Sequence, residues 1–322
     1  MKSKILSLFL LSVLFINCTK RNEPNKMDGL YDLYIYDVKK SINTKITNSP
    51  LIIEYPLSFS NDGAMIFYKT NDGIQSMNLD GSNNNLLSSA NNFSGIKLSP
   101  DGKKFVYSDT GVLFLMDIDG RNVRRLTDLP YKLWEPIWSH NGTKIACCSD
   151  NGIVVVNLEG NVESITKDKP STWYDWSFDS KKLSYSKRSD NNFDQIFVYD
   201  LDNKIESKIT TFSRYSIFSI WRPGFNEILF TSSTADYGSD LIVTNIDGSI
   251  QKTILHQASI SSPIWSPDGN KIAFIDENSD LALIDYDGKN LKVLNTIPGC
   301  CLNPIWSLNG NFILYYRAIF YN

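Results

Sequence analysis

Histidine is the side chain most often used for acid-base and metal chemistry near neutral pH. The 322 residues of this chain include two histidines, His140 and His256, which excludes a three-histidine metal site. His140 lies in a predicted turn, where a solvated residue is expected. His256 lies in a predicted loop, and our hypothesis for it is a role in binding or in acid-base chemistry. A simple exposed loop histidine is the alternative.

The cysteines give little support to metal or redox chemistry. They are Cys18 and two adjacent pairs, Cys147-Cys148 and Cys300-Cys301. No pair has the Cys-x-x-Cys spacing of structural zinc sites, and no metal is predicted. Two adjacent cysteines rarely bond to each other because the ring would be strained. Buried free thiols are therefore predicted for both pairs, with a disulfide between the pairs as the alternative.

Phosphate-binding loops and the turn that carries a catalytic serine both need glycines at fixed distances from each other, so the spacing of the glycines shows whether such motifs are present. No two of the 18 glycines are separated by two, four or five positions. This excludes Gly-x-Gly-x-x-Gly, Gly-x-Ser-x-Gly and the Walker-type loop, and no cofactor is expected. The Asp-x-Asp-Gly copies that begin at Asp117 and Asp285 lack the further oxygen ligands of a calcium loop. Hairpin turns are predicted there instead.

One group of side chains suits binding better than catalysis. Large aromatic residues and one arginine lie in segments that lead into predicted strands. Exposed Trp, Tyr and Arg are frequent binding anchors, and packing against neighbouring strands is the alternative. Together with His256, the candidate binding residues are Tyr131, Trp134, Trp173, Tyr174, Arg214 and Tyr215.

Composition favours a folded protein that does not bind nucleic acid. Hydrophobic residues make up 42% of the chain and aromatic residues 12%, which is enough for a substantial core. The formal net charge is -3, and the densest basic run, Arg121 to Arg125, holds three positive residues. Binding to phosphate backbones needs a more concentrated positive surface.

The N-terminal segment has the pattern of an export signal. Lys2 and Lys4 precede an apolar run from Ile5 to Ile16 that is shorter than the about 20 residues needed to span a bilayer. The run ends in Leu-Phe-Ile-Asn before Cys18, which resembles the lipobox of bacterial lipoproteins. The resemblance implies cleavage before Cys18 and acylation of its thiol, which makes a membrane anchor. An ordinary signal peptide followed by a coincidental cysteine is the alternative.

A short pattern then recurs along the chain: a large apolar residue, a serine, a turn such as Asp-Gly, and a β-rich run. Its period is close to the 40 to 45 residues of a four-stranded propeller blade. The anchor residues are Phe59, Leu98, Trp138, Trp176, Trp221, Trp265 and Trp306, with spacings of 39, 40, 38, 45, 44 and 41 residues.

A second predicted hairpin lies between consecutive anchors, so that each repeat holds four strands. Examples run from Leu113 to Gly120 and from Leu281 to Gly288. The segment from Leu33 to Val38 matches the one from Ile196 to Leu201, but no anchor precedes it. The last anchor, Trp306, has no second hairpin after it. We therefore predict that these two half-repeats pair and close a ring of seven blades, with six or eight blades as alternatives.

The run Trp265-Ser-Pro-Asp-Gly-Asn-Lys-Ile-Ala-Phe274, and a second copy from Leu98 to Tyr107, resemble the repeat of TolB-like propellers. The resemblance implies an all-β, seven-bladed β-propeller of four-stranded antiparallel blades. The same repeat occurs in periplasmic scaffold proteins, in the propellers of prolyl-oligopeptidase-like enzymes and in polysaccharide lyases, so fold alone does not choose a function.

These observations predict three segments: a signal peptide at 1–17, a lipid-anchored tether at 18–29 and a propeller at 30–322. We expect a non-catalytic envelope lipoprotein that binds a protein or peptide through loops at one mouth of the propeller channel. The predicted location is the outer membrane facing the periplasm, with the cell surface as an alternative. The alternative function is a carbohydrate-binding or glycan-processing propeller of the lyase type. A monomer is expected, since a closed ring leaves no open sheet edge between blades.

Overall fold

The computed structural model describes residues 29–48, 55–89, 93–167, 173–190, 192–233, 238–257, 259–294 and 299–320. The predicted signal peptide, Cys18 and all of the predicted tether except Gly29 lie outside these ranges. Within them, no helix is long and apolar enough to cross a membrane.

The described residues form 28 strands in seven four-stranded antiparallel sheets. In chain order the strands are β1 (Gly29–Asp37), β2 (Ile42–Lys45), β3 (Tyr55–Phe59), β4 (Met65–Thr70), β5 (Gly73–Asn78), β6 (Asn85–Ser88), β7 (Phe93–Leu98), β8 (Lys104–Asp109), β9 (Val112–Asp117), β10 (Arg124–Arg125), β11 (Leu133–Trp138), β12 (Lys144–Ser149), β13 (Gly152–Asn157), β14 (Val162–Ser164), β15 (Tyr174–Trp176), β16 (Lys182–Arg188), β17 (Asp194–Asp200), β18 (Ile205–Lys208), β19 (Ser216–Trp221), β20 (Glu227–Ser233), β21 (Ser239–Asn245), β22 (Gln251–Gln257), β23 (Ser261–Trp265), β24 (Lys271–Ile275), β25 (Leu281–Asp285), β26 (Lys292–Val293), β27 (Cys300–Trp306) and β28 (Phe312–Phe320).

Each sheet is one blade of a propeller. Blade 1 contains β3 to β6, blades 2 to 6 follow in steps of four strands, and blade 7 contains β27, β28, β1 and β2. We name the strands of a blade A to D in that order. The A strands contact one another around the ring, so they are the innermost strands and line a central channel. The predicted seven-bladed fold is confirmed.

Pairing of the two ends of the chain closes the ring. Strand β1 pairs with β28 in an unbroken antiparallel register from Gly29 opposite Phe320 to Asp37 opposite Phe312. Blade 7 therefore takes its A and B strands from the end of the chain and its C and D strands from the beginning, as predicted.

The closing blade also holds a buried charge. Arg317 on β28 is fully buried, and none of its three guanidinium nitrogens has a hydrogen-bond partner in the described part of the chain. Asp32 lies opposite it in the register, but its carboxylate is 2.8 Å from the ammonium of Lys45. A buried guanidinium without hydrogen bonds is unusual, because desolvation of a charge is costly in proteins.

The Ser-Pro-Asp-Gly motif is explained by the turn between strands A and B. In blade 2 the Ser99 hydroxyl donates to Asp101 at 2.6 Å and accepts the backbone N–H of Lys104 at 2.9 Å. The N–H of Gly102 donates to the carbonyl of Ser99 at 2.8 Å. The hydrogen bond from Ser99 lowers the pKa of Asp101, since it stabilises the charged carboxylate. The motif is therefore a self-contained turn.

The anchor tryptophans join neighbouring blades. Trp176 of blade 4 is almost completely buried, and its indole N–H donates to the carbonyl of Ile137 in blade 3 at 3.3 Å. Trp138 of blade 3 donates in the same way to Lys97 of blade 2 at 3.1 Å. Trp138 and Trp176 therefore link blades 2, 3 and 4.

Blade 5 replaces the anchor serine with an arginine. The Arg222 side chain is buried, and its Nε donates to the carbonyl of Gly269 in blade 6 at 2.8 Å. Its guanidinium lies 3.9 Å from the ring centre of Phe225 and 3.6 Å from that of Tyr286. Cation–π stacking and an ion pair with Glu227 at 2.5 Å therefore hold this interface.

Glycines in the turns between strands C and D allow the blades to approach closely. Gly120 has a φ of +85°, and a Cβ there would lie 1.9 Å from the carbonyl oxygen of Leu87 in the preceding blade. This contact leaves no room for a side chain. The same arrangement recurs at Gly81, Gly160, Gly248 and Gly288, which face the carbonyls of Ile46, Leu126, Ile209 and Ile254.

We predict that Gly120→Ala destabilises the propeller more than Gly224→Ala. Both glycines have positive φ, but a Cβ on Gly224 would meet nothing within 4 Å. The free energy of unfolding of Gly224→Ala should therefore fall by only about 1 kcal/mol, the cost of a positive φ at alanine. That of Gly120→Ala should fall by at least about 2 kcal/mol, because the blades must move apart. Chemical denaturation measures both values, and equal losses would contradict the close-packing explanation.

Candidate functional site

The two ends of the channel differ in what surrounds them. The turn face carries the A–B and C–D turns of every blade, and the loop face carries the B–C hairpins and the D–A connections between blades. His140 is exposed in an A–B turn of the turn face, with its ring 5.4 Å from that of Phe178. The Asp117 and Asp285 motifs form C–D turns, closed by the bonds from Gly120 and Gly288 to their carbonyls. The turn predictions are thus confirmed, and the candidate site lies on the loop face.

A β-bulge in the A strands shapes the channel wall near the loop face. Six of the seven A strands shift register against their B strands, and in five of them the bulged residue has positive φ. A bulge re-aims the side chain that it carries. These residues are Gly95, Glu135, Phe218, Ser262 and Asn303, each three positions before the anchor of its blade.

Trp173 occupies the corresponding position in blade 4, three residues before Trp176. Its side chain is 48% exposed, and its ring centre lies 6.1 Å from that of Phe218 in blade 5. Phe218 has a φ of +61°, which is unusual for a bulky residue and marks local strain. The two aromatic rings form an exposed apolar surface at the edge of the channel.

Glu135 lies on the other side of Trp173, in blade 3. Its side chain is exposed, and its carboxylate lies beside Gly95 of blade 2: a Cβ at Gly95 would be 3.2 Å from Oε2. The Tyr174 hydroxyl donates to the backbone carbonyl of Glu135, which ties blade 4 to blade 3 at this level. We name the ring of Gly95, Glu135, Trp173, Phe218, Ser262 and Asn303 the channel mouth.

A charged cluster lies near the loop face of blade 5, on strands C and D and the connection before strand A. Asp240 accepts an ion pair from Arg214 at 3.1 Å, and its other oxygen is 2.9 Å from Nδ1 of His256. The structure therefore brings two of the predicted binding residues together on one carboxylate that the sequence analysis did not single out. The half-exposed His256 could donate to or accept from a ligand on this face.

Tyr215 belongs to an adjoining aromatic and basic group. It is 41% exposed, its ring packs edge-on against Phe193 at 5.2 Å, and its hydroxyl accepts from Arg188 at 3.3 Å. That hydrogen bond, with the nearby carboxylate of Asp194, raises the pKa of Arg188. The group therefore keeps a fixed positive charge that is already neutralised by Asp194 at 3.4 Å.

Tyr174 is buried, so its predicted role as an exposed binding residue is wrong. Its hydroxyl accepts the backbone N–H of Cys148 at 2.9 Å, and its ring packs in the core between blades 3 and 4. Burial raises the pKa of Tyr174 well above its usual value. Strand A of blade 4 begins at Tyr174, and the Tyr174 side chain points toward blade 3. Tyr174 therefore joins these two blades.

The remaining two candidates lie on blade 3 and its approach. Tyr131 is half-buried and packs against the core between blades 2 and 3. Trp134 is half-buried on β11, opposite Cys148 in the register. Neither contacts the Asp240 cluster in any described interaction. Of the seven predicted binding residues, Trp173, Arg214, Tyr215 and His256 are thus the most available to a ligand. The predicted loop placement is wrong for Trp134, Tyr174 and His256, because backbone pairing with the neighbouring strand extends β11, β15 and β22 to include them.

Deeper in the channel, one carboxylate is used to hold blades together. Asp175 accepts the backbone N–H of Trp221 in blade 5 at 2.8 Å. Burial raises the pKa of Asp175, and the hydrogen bond from the N–H of Trp221 opposes that effect. Aliphatic residues occupy the same place, one residue before the anchor, at Ile137, Ile220, Ile264 and Ile305.

Cys147, Cys148 and Cys301 are free thiols, as predicted, but Cys300 is disulfide-bonded, so the prediction is wrong for Cys300. The alternative of a disulfide between the two pairs is also wrong, since Cys147 and Cys148 are both free. Burial raises the pKa of Cys147 well above its usual value, which makes it a poor nucleophile. Across the described ranges, no group of three or more His, Cys, Asp or Glu side chains has the geometry to hold a metal ion.

Sequence analysis missed Glu135, Phe218 and Asp240. The signal for the first two was available, because both lie three residues before an anchor, at the same offset as Trp173. Asp240 gave no such signal, since its importance depends on contacts with Arg214, in the connection before β19, and with His256, opposite it on β22.

Comparisons with known proteins agree with the repeat pattern. The chain matches the TolB beta propeller domain over residues 109–278. It is 25% identical over 255 residues to Atu1656, an uncharacterized protein of Agrobacterium fabrum, and this alignment covers 68% of the chain and 82% of that protein.

Two solved structures show the same fold. A protein of Agrobacterium tumefaciens assigned as a TolB has a TM-score of 0.61 and 19% identity, over 91% of this chain and 99% of that one. An oligogalacturonate lyase in complex with manganese has a TM-score of 0.72 and 12% identity, over 91% of this chain and 97% of the lyase. At these identities the likeness concerns architecture, and both binding and catalytic proteins share it.

The placement of Tyr174 gives a direct test of its role. Tyr174→Phe should lower the free energy of unfolding by about 1–3 kcal/mol, because the N–H of Cys148 and the carbonyl of Glu135 each lose a partner in a buried site. Tyr215→Phe, at an exposed position, should change stability by less than about 0.5 kcal/mol. Urea denaturation of both variants measures this, and an unchanged stability of Tyr174→Phe would refute the structural assignment.

Proposed function

Because the chain belongs to the TolB β-propeller family, we propose that it is a lipid-anchored envelope protein whose propeller binds a protein or peptide partner without catalysis. The observation that carries the proposal is the channel mouth. Five blades hold a residue of different chemistry on the same bulged backbone, next to the exposed ring of Trp173. A constant geometry with variable side chains is the form expected of a recognition surface on a rigid scaffold.

The exposed side chains of the loop face suit a peptide ligand. Trp173, Phe218 and Tyr215 supply aromatic surface, and Arg188, Arg214 and His256 supply hydrogen-bond donors. Such aromatic and arginine residues dominate the binding energy of many protein interfaces. Ion pairs and ring contacts hold several of these side chains in place, which reduces the entropy lost on binding.

A catalytic role has less support from the residues. His140 lies on the turn face and His256 on the loop face, so the two histidines cannot act at one site. Two acids of the loop face, Asp240 and Asp194, are each paired with an arginine of the same face. A glycan-binding or lyase-type propeller is the second candidate, since the exposed aromatic rings would also suit a sugar and the fold is like that of an oligogalacturonate lyase.

The chain enters the propeller at the loop face, where Gly29 pairs with Phe320. A tether of 11 residues from Cys18 to Gly29 spans at most about 40 Å. If Cys18 carries lipid, the point where the chain enters the propeller lies within that distance of the membrane. The partner would then be a membrane-proximal protein of the envelope, with the outer membrane as the proposed site.

The lipid anchor can be tested with two cysteine variants. Wild-type protein and Cys148→Ser should incorporate labelled palmitate in cells and sediment with membranes, because Cys148 lies in the propeller. Cys18→Ser should lose both the label and the membrane association, since the acylated thiol is gone. Release of wild-type protein into the soluble envelope fraction without label would instead indicate an ordinary signal peptide.

The binding site can be tested by photo-crosslinking in cells. A benzoylphenylalanine at position 173 should form an adduct with a single envelope protein, identified by mass spectrometry. The matched control at Phe178, an exposed aromatic position of the same blade on the turn face, should not form it. Both variants must fold and reach the envelope as the wild type does.

An adduct at Phe178 alone, or no protein adduct at either position, would reject the proposed surface. Purified protein would then be incubated with oligogalacturonate, with and without manganese. Formation of unsaturated product, detected by ultraviolet absorbance, would replace the binding proposal with the lyase alternative.

A further inference from the structure

The turn face holds two clefts that are built from equivalent residues. One lies between blades 2 and 3 and has a volume of about 400 Å³, and the other lies between blades 6 and 7 and has about 530 Å³. In each, the preceding blade contributes its Ser-Pro-Asp turn and a lysine, and the next blade contributes its anchor tryptophan. These residues are 99–101, Lys104 and Trp138 in the first cleft, and 266–268, Lys271 and Trp306 in the second.

A proline two positions after the anchor keeps each of these junctions open. In blade 1 the same position is Asn61, whose Nδ2 would lie 2.8 Å from a Cβ on Gly102 of the next blade and donates to the carbonyl of Pro100 at 2.9 Å. A proline side chain cannot make this bond. Among the described residues, a Cβ on the facing glycine of either cleft would meet only the proline Cδ within 4 Å, at 3.9 Å for Gly142 and for Gly310.

The open junctions change the exposure of the anchor tryptophans. Those of the two clefts are half-buried, whereas the other three have exposed fractions of 6% or less. Part of each cleft indole is therefore available to a ligand as a flat apolar surface. The half-buried residues are Trp138 and Trp306, and the buried ones are Trp176, Trp221 and Trp265.

Each cleft also contains a carboxylate. Oδ1 of Asp101 accepts from the Ser99 hydroxyl at 2.6 Å and from the N–H of Lys103 at 3.1 Å, which leaves Oδ2 to accept from a ligand. Oδ1 of Asp268 is used in the same way by its own turn, and Oδ2 accepts from Asn270 at 3.1 Å. A carboxylate oxygen has more than one acceptor site, so both clefts can take a hydrogen bond from a hydroxyl group.

A lysine supplies the donor. Lys104 and Lys271 form ion pairs with Asp117 and Asp285 at the ends of strand C of their own blades, and their side chains are 49% and 43% exposed. An ammonium group has three N–H donors, so this pairing leaves donors for a ligand. The clefts differ in other charged or titratable residues, since the first contains His140 and the second a further lysine at position 39. A ligand common to both must therefore be recognised by the shared groups.

The shared groups favour a neutral sugar ring. The lysine opposes a cationic ligand and the carboxylate opposes an anionic one. A pyranose packs its C–H groups against an indole and a proline ring, and its hydroxyl groups both donate to a carboxylate and accept from an ammonium. A proline-rich peptide would also suit the indole, but proline has no N–H to donate to the carboxylate. The cleft volumes are in the range of small-ligand sites.

We propose that the two clefts bind neutral sugar rings of a polysaccharide, with the indoles of Trp138 and Trp306 as packing surfaces and the carboxylates of Asp101 and Asp268 as acceptors for hydroxyl groups. A long polysaccharide that occupies both clefts would bind more tightly than a single sugar, because the closed ring holds the two sites on one face. The inference goes beyond the proposed function, which concerns the loop face, and does not depend on it.

The test observes each tryptophan separately. The full-length protein has seven tryptophans, so labelling with 5-fluorotryptophan should give seven fluorine NMR signals, which single tryptophan-to-phenylalanine variants assign. The probes are maltose, cellobiose, mannobiose, lactose and chitobiose. At least one of them should shift the signals of Trp138 and Trp306 with a millimolar dissociation constant, since few groups take part in each contact. The signals of Trp134 and Trp173, on the loop-face side, should not move.

Two variants should close one cleft each and leave the indole in place. Pro100→Asn introduces the residue that fills the junction between blades 1 and 2, and Pro267→Asn does the same in the second cleft. Pro100→Asn should weaken the sugar response of Trp138 about tenfold or more, because packing on the indole is blocked, and should leave that of Trp306 unchanged. Pro267→Asn should have the reverse effect.

The matched control is Pro223→Asn in blade 5. Pro223 has the same position after its anchor, but Arg222 already fills that junction, since a Cβ on Gly269 would lie 3.2 Å from its Cγ. Both tryptophan signals should respond in this variant as in the wild type. Thermal melting must show that all three variants are folded.

A lack of response of Trp138 and Trp306 to every sugar, or a response of Trp138 that Pro100→Asn leaves unchanged, would overturn the proposal. A shift of Trp173 alone would place the sugar on the loop face, which rejects the clefts and supports the glycan-binding alternative there. Stronger binding of tetragalacturonate or of an acetylated proline peptide than of any neutral sugar would also overturn it. None of these results bears on whether the loop face binds a protein, which the crosslink at position 173 reports.

Discussion

Closure of the ring by the pairing of β1 with β28 is the interaction on which the rest of the structure depends. Without it, blade 7 would consist of two separate hairpins, and blades 1 and 6 would each expose a face that is now core. Closure also fixes the channel, because an open arc of blades would have no mouth. The close contacts between blades, such as Gly120 against Leu87, are tolerable only because every blade is held at the same spacing around the circle.

This constraint divides the molecule into two faces with different freedom. Residues of the turn face are used in repeated structural contacts: serine and aspartate close the A–B turns, and glycine lets the C–D turns approach the preceding blade. The connections of the loop face have a repeat of their own, because a threonine after strand D accepts a backbone N–H of strand C in four blades, at Thr47, Thr127, Thr166 and Thr210. The bulged A strands of this face present glutamate, phenylalanine, serine and asparagine on one backbone geometry, so side chains there can differ between blades without altering the fold.

The buried polar groups follow from the same division. Tyr174 and Asp175 look like functional residues in a sequence, but both use their polar atoms to join blade 4 to its neighbours. Exposed residues of the mouth lie next to these buried residues in the chain. Successive side chains of a strand point in opposite directions, so one residue can be exposed and its neighbour buried. Trp173 precedes the strand and remains exposed, while Tyr174 begins the strand and is buried. A surface of this kind suits recognition, since the scaffold beneath it is rigid and its side chains are already held by ion pairs and ring contacts.

The sequence by itself determined the repeat, the number of blades and the way the ring closes, because these depend on local turns and on the spacing of anchors such as Trp265. It also located the connections that surround the mouth. Only the tertiary structure decided which side chains of those connections are exposed, because exposure depends on the neighbouring blade. Tyr174 is covered by blade 3, and Arg214 and His256 meet on Asp240 although they lie 42 residues apart in the chain. The sequence places Glu135 and Phe218 at the same offset from their anchors, but the bulges themselves depend on the register between two strands, which only the tertiary structure shows.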